Sequence, residues 1–429
     1  DSLAATELVS RLRALTGVAL PSTIVFEQPT SRAIVTHLLE QLDASASRAS
    51  MAPTAAHISI AESGARASLA GMVGRWPGGY DDAVACWRLQ TVCGDGMSGV
   101  PSMRWVLEAV VDGGEFGAAQ VACVWHVGFL SDSQRFVGAT FRFSPAEAGV
   151  MVLQQRWLLE LGYRVLHGAS QRHAALQNGQ AGDFIGIERP DWALVQPLLA
   201  SGSGFEVTGD DEVSVANERL CFVLGLHGPC ASVGKACASA LVAARRGAGE
   251  VADEECDELV ALTVSLKPAL HTMLGVASAE MLLVDWRCKT LDACARGYAH
   301  SEGMGAVVLQ WSDAALVRLG GSAMWQDGPS ASQMAPNASA QRTMLLAAIG
   351  SAALESADVG GAAEHGKRTT LGEPTQVGSL AAKHGGIEQQ TQLVVGAVKA
   401  SVSDSEEVAG YVRWLQVLCV VQGTAASAN

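Results

Sequence analysis

The spacing of apolar residues predicts helices near the start of the chain and a buried strand further on. Leu3, Leu8 and Leu12 recur at helical intervals, and a second amphipathic segment runs from Ile34 to Leu42. The continuous apolar run from Phe184 to Ile187 predicts a buried strand. The first two segments therefore indicate a helical N-terminal part that is followed by a different kind of domain.

A Ser- and Ala-rich stretch separates this N-terminal part from the rest of the chain. Residues 44–54 have no apolar period, and their composition is typical of an interdomain linker. We therefore divide the chain into an N-terminal segment of residues 1–43, a linker of residues 44–57 and a main domain of residues 58–429.

The stretch from Ser232 to Ala244 contains a cysteine at a position suited to a nucleophile. A short β-prone run gives way there to small, helix-favouring residues, so we expect Cys237 at a helix N-terminus. The N–H groups and the dipole at that end favour a thiolate, and a lowered pKa makes cysteine a nucleophile near neutral pH. From these residues alone, the alternative is that Cys237 is a small buried hydrophobe in an Ala-rich helix, which is the commoner role of a free cysteine.

Composition and charge exclude several classes of partner. The chain has 429 residues, 49% of them hydrophobic, and a formal net charge of −14, which argues against binding to nucleic acid or to an anionic membrane surface. No apolar run is long enough to span a bilayer. The ten cysteines are scattered without a C-x-x-C pair, which fits neither a zinc site nor a disulfide scaffold. We therefore expect free thiols, no metal and a reducing, cytoplasmic environment.

Ser2 has two interpretations. From its position before the first helical run, it is a helix N-cap. The segment also contains the tripeptide Asp1-Ser-Leu3 and the later run Val25-Phe-Glu-Gln-Pro-Thr30, and together these resemble the second half of an acyl carrier protein. In that family the serine of a D-S-L motif carries 4′-phosphopantetheine. The resemblance therefore implies that Ser2 is the attachment site of this cofactor.

A series of motifs runs in order through the main domain. Leu224-Gly-Leu-His-Gly-Pro229 precedes a segment in which Ala236, Cys237, Ser239 and Leu241 match a D-T-A-C-S-S-S-L pattern. Other matching runs are Gly71–Gly79, Val100–Trp105, Met151–Arg156, Arg287–Asp292 and Gly297–Gly303. Together they resemble the β-ketoacyl synthases, the ketosynthase domains of polyketide and fatty-acid synthases. The resemblance implies a thiolase-like layered α/β fold, a homodimer, and Cys237 as the residue that is acylated.

Two further residues fall on motifs of the same family. His365 lies in a run from Ala363 to Pro374 that resembles E-A-H-G-T-G-T-x-L-G-D-P, and Lys399 lies in a run that resembles G-S-V-K-T-N-I-G-H. Without the resemblance, a lone histidine in a Gly-rich loop is more often a surface residue. With it, His365 and Lys399 are implied to assist the extender unit.

The chain departs from the family pattern at two positions that matter. Asp404 stands where the last motif has its second histidine, and an ionised aspartate accepts hydrogen bonds but cannot donate them. We expect Asp404 to pair with Lys399 or Lys367. Trp286 stands where the family has glycine, and it is strained if the backbone there has a positive φ.

The resemblance implies a function and leaves one rival to it. The chain would take an acyl chain from a phosphopantetheine carrier onto Cys237 and condense it with a malonyl-type extender, within a multimodular polyketide synthase. Its partners would be acyl carrier domains, acyl and malonyl thioesters and other modules. Because of Asp404, the alternative is a non-condensing domain that serves in transacylation, dimerisation or carrier docking. A third interpretation is a thiolase or another thioester acyltransferase, but a protein of that kind would lack the carrier segment. The family's last Gly-rich loop lies beyond Asn429, so we expect an inactive fragment.

Overall fold

The computed structural model describes most of the chain. The described residues are 8–47 without 10, 14, 17–19, 21–23 and 29; 67–104 without 103; 117–168; 180–187; 213–312 without 279, 280, 293, 295 and 296; 317–366 without 331–334; 372–384; and 393–427. The chain divides into a first unit (residues 1–64, 320–360 and 369–394) and a second unit (residues 65–319, 361–368 and 395–429). The predicted linker falls largely outside the described residues, so its boundaries stay a prediction.

The second unit is built on a mixed β-sheet. The described strands are β1 (Ser68–Arg75), β2 (Ser98–Gly99), β3 (His126–Val127), β4 (Ala181–Gly186), β5 (Cys230–Val233), β6 (Glu258–Ser265), β7 (Gly303–Gln310), β8 (Gly361–Ala363) and β9 (Val394–Gly396). Five of them form one sheet in the order β1-β7-β6-β4-β5. In this sheet β4 is parallel to β5 and β6, whereas β7 is antiparallel to β6 and β1. Strand β4 is buried along its whole length, which confirms the strand predicted at Phe184–Ile187.

Helices cover the sheet and form most of the first unit. The described helices are α1 (Ile24–Glu27), α2 (Ser31–Ser47), α3 (Ala83–Thr91), α4 (Ala118–Ala122), α5 (Pro145–Val150), α6 (Leu153–Gly168), α7 (Val213–Leu224), α8 (Ser239–Ala252), α9 (Leu270–Ser278), α10 (Ala338–Ser351), α11 (Gly372–His384), α12 (Lys399–Val402) and α13 (Ala409–Ser427). Short 3-10 helices at Pro77–Gly79, Gly138–Phe141, Ala236–Ala238, Ser356–Asp358 and Glu406–Val408 join some of these elements.

Residues that alternate along the strands divide the apolar core into two layers. Val260, Leu262 and Val264 of β6 belong to the cluster that contains α6 and α7. Leu259 and Ala261 of the same strand belong to the cluster that contains α8 and α13. Successive strand side chains point to opposite faces, so one strand contributes to both layers. The sheet therefore lies between two layers of helices, as predicted for a layered α/β fold.

A glycine holds the stretch that carries Cys237 against the sheet. The N–H of Gly228 donates to the Ala181 carbonyl oxygen at 2.8 Å, and a Cβ atom on Gly228 would lie 2.7 Å from the Ala181 carbonyl carbon. Only glycine permits this approach of two backbones. The chain then forms β5, turns through Ala236–Ala238 and starts α8 at Ser239.

Trp286 has a left-handed backbone, which is the condition under which strain was expected at this position. Its φ is 45°, a conformation that costs a non-glycine residue about 1–2 kcal/mol. The indole stacks on the His126 ring, with 3.9 Å between the ring centroids and 18° between the planes. Because such a ring pair contributes about 0.5–1.5 kcal/mol, it offsets part of this strain.

The first unit buries a small apolar cluster of its own. Its members lie near the N-terminus and are Val9, Leu20, Ile24, Ile34 and Leu38. The Thr30 hydroxyl oxygen accepts the Ala33 N–H at 3.2 Å, which satisfies a donor at the start of α2. The amphipathic segment predicted from Ile34 to Leu42 lies inside α2 and is confirmed as helical.

Candidate active site

Cys237 lies in a 3-10 turn that leads directly into helix α8. The turn comprises Ala236–Ala238, and α8 begins at Ser239. The hydroxyl oxygen of Ser239 accepts the Lys235 N–H at 2.8 Å and closes the turn. The prediction of a cysteine at a helix start is therefore confirmed, and the positive end of the helix dipole lies at the turn that carries the thiol.

The predicted lowering of the Cys237 pKa is wrong. Burial and then the Asp404 carboxylate raise the pKa of the thiol to about 12, although the Lys399 ammonium acts in the opposite direction. The carboxylates of Glu406 and Glu407 also raise it. The local sequence indicates the helix start but not the burial and the carboxylates that the fold brings to it. Cys237 is therefore a thiol in the resting protein.

Lys399 and Asp404 form a buried ion pair whose charges act on the Cys237 thiol. Lys399 Nζ donates to Asp404 Oδ2 at 2.6 Å, and the two side chains are 2% and 7% exposed. Burial lowers the pKa of Lys399. Burial alone would raise the pKa of Asp404, but Lys399 and His365 outweigh it, so this pKa lies below its ordinary value. The predicted pairing of Asp404 with Lys399 is confirmed.

His365 joins the same cluster from a third segment of the chain. It follows β8, and the N–H of the preceding Glu364 donates to the Gly396 carbonyl oxygen at 2.9 Å. His365 is partly buried, and its electrostatic interaction with Asp404 lowers the pKa of that carboxyl. The structure therefore brings together the predicted site residues of the main domain, Cys237, His365, Lys399 and Asp404.

Two residues of the sequence prediction lie outside the described part of the chain. They are Ser2 and Lys367. The attachment of 4′-phosphopantetheine at Ser2 and the option of a pair between Asp404 and Lys367 therefore remain predictions from the sequence.

A second buried charge cluster adjoins the first, and the sequence prediction missed it. Lys267 Nζ donates to a Glu406 carboxylate oxygen and to the Ser265 hydroxyl at 3.4 Å. The other Glu406 oxygen lies 3.3 Å from His300 Nδ1. Burial would raise the Glu406 pKa, but Lys267 and His300 outweigh it and lower the pKa to about 2. Lys267 follows the buried strand β6 almost directly, and a charge at such a position requires a buried partner.

The two clusters are linked through the backbone. The N–H of Glu406 donates to Asp404 Oδ1 at 3.1 Å, so both oxygens of Asp404 accept hydrogen bonds. The site thus offers a sulfur nucleophile, a buried cation and a histidine, which are the groups that acyl transfer from a thioester requires.

Two other kinds of site were sought in the described residues. No group of three or more His, Cys, Asp or Glu side chains there is arranged to hold a metal ion. Within the same residues, no helix has both the length and the apolar character needed to cross a membrane. All ten cysteines are free thiols, as predicted from their spacing.

Comparison with known families identifies both parts of the chain. Residues 66–315 match the family model for the N-terminal domain of beta-ketoacyl synthase, and residues 316–428 match that for its C-terminal domain. Residues 1–38 match the model for a phosphopantetheine attachment site. The chain therefore belongs to the β-ketoacyl synthase family, with a phosphopantetheine attachment segment before the synthase. The resemblance predicted from the motifs is confirmed.

The curated relatives are polyketide synthases. The chain is 33% identical to polyketide synthase GfsA of Streptomyces halstedii over 99% of its own length and 6% of that protein. It is 33% identical to the pikromycin polyketide synthase component PikAII of Streptomyces venezuelae, over 96% of the chain and 11% of that protein. The chain is 30% identical to erythronolide synthase EryA3 of Saccharopolyspora erythraea, over 97% of the chain and 13% of that protein. The chain thus spans a small part of each relative.

Solved structures give the same fold. The oxazolomycin ketosynthase domain OzmH KS7 of Streptomyces albus JA3453 superposes with a TM-score of 0.74 at 26% identity, covering 82% of this chain and 62% of that one. The ketosynthase from module 6 of the bacillaene synthase of Bacillus subtilis 168 gives a TM-score of 0.72 at 24% identity, covering 82% and 60%. The predicted thiolase-like layered α/β fold is confirmed.

Proposed function

We propose that the chain acts as the ketosynthase of a modular polyketide synthase. It takes an acyl chain from a phosphopantetheine-bearing carrier onto Cys237 and condenses it with a malonyl-type extender. The observation that carries this proposal is the convergence of Cys237, His365 and Lys399 at the start of α8, in a chain of the β-ketoacyl synthase family.

The first step transfers the acyl group to sulfur. Cys237 Sγ attacks the carbonyl carbon of the acyl carrier thioester, the bond from that carbon to the carrier sulfur breaks, and the thiol proton passes to the departing sulfur. Because the pKa of Cys237 is raised to about 12, loss of the proton accompanies the attack. The Lys399 ammonium and the dipole of α8 stabilise the negative charge on sulfur as it develops.

The second step forms the new carbon–carbon bond. The extender carboxylate leaves as carbon dioxide, and its electron pair stays on the α-carbon as an enolate. The enolate attacks the acyl carbon on Cys237, and the sulfur leaves as a thiolate and takes a proton from solvent. His365 donates to the extender thioester oxygen, where negative charge develops. Lys399 supplies the positive charge beside Cys237.

Asp404 has a positioning role in this scheme. An ionised carboxylate cannot donate a hydrogen bond, and its two oxygens already accept one from Lys399 and one from the Glu406 N–H. We therefore assign Asp404 to holding the Lys399 ammonium in place, and not to the donor role of the histidine that the family has at this position.

The proposal includes partners at both ends of the site. The cofactor 4′-phosphopantetheine would be joined to the Ser2 hydroxyl, and carrier domains and other modules would deliver and receive the chain.

A homodimer is supported by β5, which lies at the sheet edge and, among the described strands, pairs with β4 alone. A free edge of this kind can pair with the same strand of a second copy. Free thiols support a cytoplasmic location.

Acylation and decarboxylation can be tested separately. The full-length natural polypeptide that contains this sequence is purified and mixed with an acyl carrier thioester, and peptide mass spectrometry locates the acyl group. Labelled malonyl carrier is then added, and released carbon dioxide and the β-ketoacyl product are measured. We expect acylation at Cys237 followed by both products, and neither in a Cys237→Ala variant. Acylation without carbon dioxide would leave only transacylation, and an unmodified Cys237 would refute the proposal.

A further inference from the structure

Arg413 lies on the face of α13 that meets the turn carrying Cys237. Helix α13 packs against Ala236–Ala238 and against α8. Its first turn is so close that a Cβ atom on Gly410 would lie 2.7 Å from Leu241 Cγ. Arg413 follows Gly410 by three residues, and residues at this spacing share one face of a helix. The face of α13 that carries Gly410 and Arg413 therefore begins against the first turn of α8, and the Arg413 charge interacts with those of Asp404 and Cys237.

The Arg413 guanidinium interacts electrostatically with Asp404 and Cys237 but does not form an ion pair with a carboxylate of the described residues. Its Nε donates to the Ala409 carbonyl oxygen at 3.1 Å, which anchors the base of the group. Burial lowers the pKa of Arg413, and the negative charges of Asp404 and of a Cys237 thiolate act in the opposite direction. Within the described part of the chain, Arg413 forms no ion pair with a carboxylate.

The residues next to Arg413 along α13 offer its charge no partner. Its neighbours Tyr411, Val412 and Leu415 are buried apolar residues of the second core layer. Arg413 itself is only partly buried. An arginine presents several N–H donors in a fixed plane and keeps its charge at all relevant pH values.

We propose that Arg413 is a further catalytic residue, which donates to the thioester oxygen of the malonyl-type extender while carbon dioxide leaves. This inference rests on the proposed function. As the carboxylate bond breaks, its electron pair moves toward the thioester oxygen and forms an enolate, which then attacks the acyl carbon on Cys237. The Asp404 carboxylate cannot donate to that oxygen. Arg413 supplies the second donor, alongside His365.

The thioester oxygen, and not the extender carboxylate, is the expected partner of Arg413. A guanidinium paired with the carboxylate would stabilise the substrate and oppose the loss of carbon dioxide. A donor at the thioester oxygen meets charge that appears only as the bond breaks, so it lowers the barrier. The two roles therefore differ in whether kcat or KM changes when Arg413 is replaced.

The test compares acylation with condensation in three variants of the polypeptide that carries this sequence. They are Arg413→Ala, Arg413→Lys and, as a matched control, Arg246→Ala, which removes an exposed arginine from α8. Single-turnover acylation of Cys237 by an acyl thioester measures the first step. Ketide formation at varied malonyl carrier concentration gives kcat and KM for the second.

For Arg413→Ala we expect acylation within about twofold of wild type, a kcat lowered about 100-fold and a KM within about threefold. Arg413→Lys should recover part of kcat, and Arg246→Ala should match wild type in both steps. A raised KM with unchanged kcat, an equal loss of acylation, or wild-type condensation in Arg413→Ala would each overturn the role of Arg413. If wild type acylates but releases no carbon dioxide, the proposed function itself fails.

Discussion

The buried pair of Lys399 and Asp404 allows the sharpest prediction about stability. Replacing Asp404 by alanine leaves an ammonium in a site where its side chain is 2% exposed. At 2.6 Å and an effective dielectric constant of about 20, the lost attraction is roughly 6 kcal/mol, while desolvation of each ion costs several kcal/mol in any case. The pair as a whole is therefore close to neutral, but either half alone is costly.

From this balance we expect Asp404→Ala or Lys399→Met to lower the free energy of unfolding by about 3–5 kcal/mol. The double variant Lys399→Met/Asp404→Ala should recover much of that loss, because it removes both charges and leaves no unpaired ion. The matched control is Asp285→Ala, which breaks a pair with Lys289 whose side chains are 46% and 32% exposed. That change should cost less than about 1 kcal/mol.

The assay is urea unfolding of the four variants and wild type, followed by far-UV circular dichroism at one pH and salt concentration. The coupling energy of Lys399 and Asp404 comes from the double-mutant cycle. Single losses no larger than that of the surface control would refute the reasoning, since they would mean that solvent reaches both charges. A double variant as unstable as the sum of the single ones would refute the assignment of the cost to an unpaired buried ion.

Three other outcomes follow from the structure. Alkylation of Cys237 by iodoacetamide, measured by peptide mass spectrometry, should be slow at neutral pH and rise about tenfold per pH unit up to about pH 11, because its pKa is about 12; a plateau near pH 9 would contradict the burial of the thiol. Glu406 has a folded-state pKa of about 2 against an ordinary 4.5, so the stability it contributes, about 3 kcal/mol, is complete above pH 4.5 and is lost as pH falls toward 2. Lys267→Met should remove that part of the acid sensitivity, and an unchanged acid unfolding curve would count against the pair. Gly228→Ala should lower the thermal midpoint, because its Cβ atom would lie 2.7 Å from backbone atoms, whereas Gly249→Ala in α8 meets nothing within 4 Å and should raise it slightly; equal shifts would show that the close approach is not rigid.

The local parts of the fold could be predicted from the sequence because their causes are local. The buried strand at Phe184–Ile187 follows from an uninterrupted apolar run, and the helix after Cys237 follows from small helix-forming residues. The glycine that the family has at the position of Trp286 indicated where a positive φ would strain a larger residue, and the structure has that φ. None of these features depends on which distant segments become neighbours.

The electrostatics of the site could not be predicted in the same way. The raised pKa of Cys237 comes first from burial and then from carboxylates that lie far along the chain, and the motif around the cysteine records neither. Lys267 and Glu406 are separated by 139 positions, so neither residue identifies its partner in the sequence. The pairing of Asp404 with Lys399 could be predicted because only five positions separate them.

The edge strand β5 has a consequence for how a single subunit behaves in dilute and concentrated solution. Its residues, Cys230 to Val233, include neither proline nor a charged side chain, and these are the groups with which exposed strands commonly discourage self-association. In a subunit that refolds slowly at high concentration, the backbone groups of β5 can therefore pair with a strand of another chain and form an aggregate. Recovery of soluble protein after denaturation should fall as concentration rises, and a lysine introduced into this strand should reduce that loss.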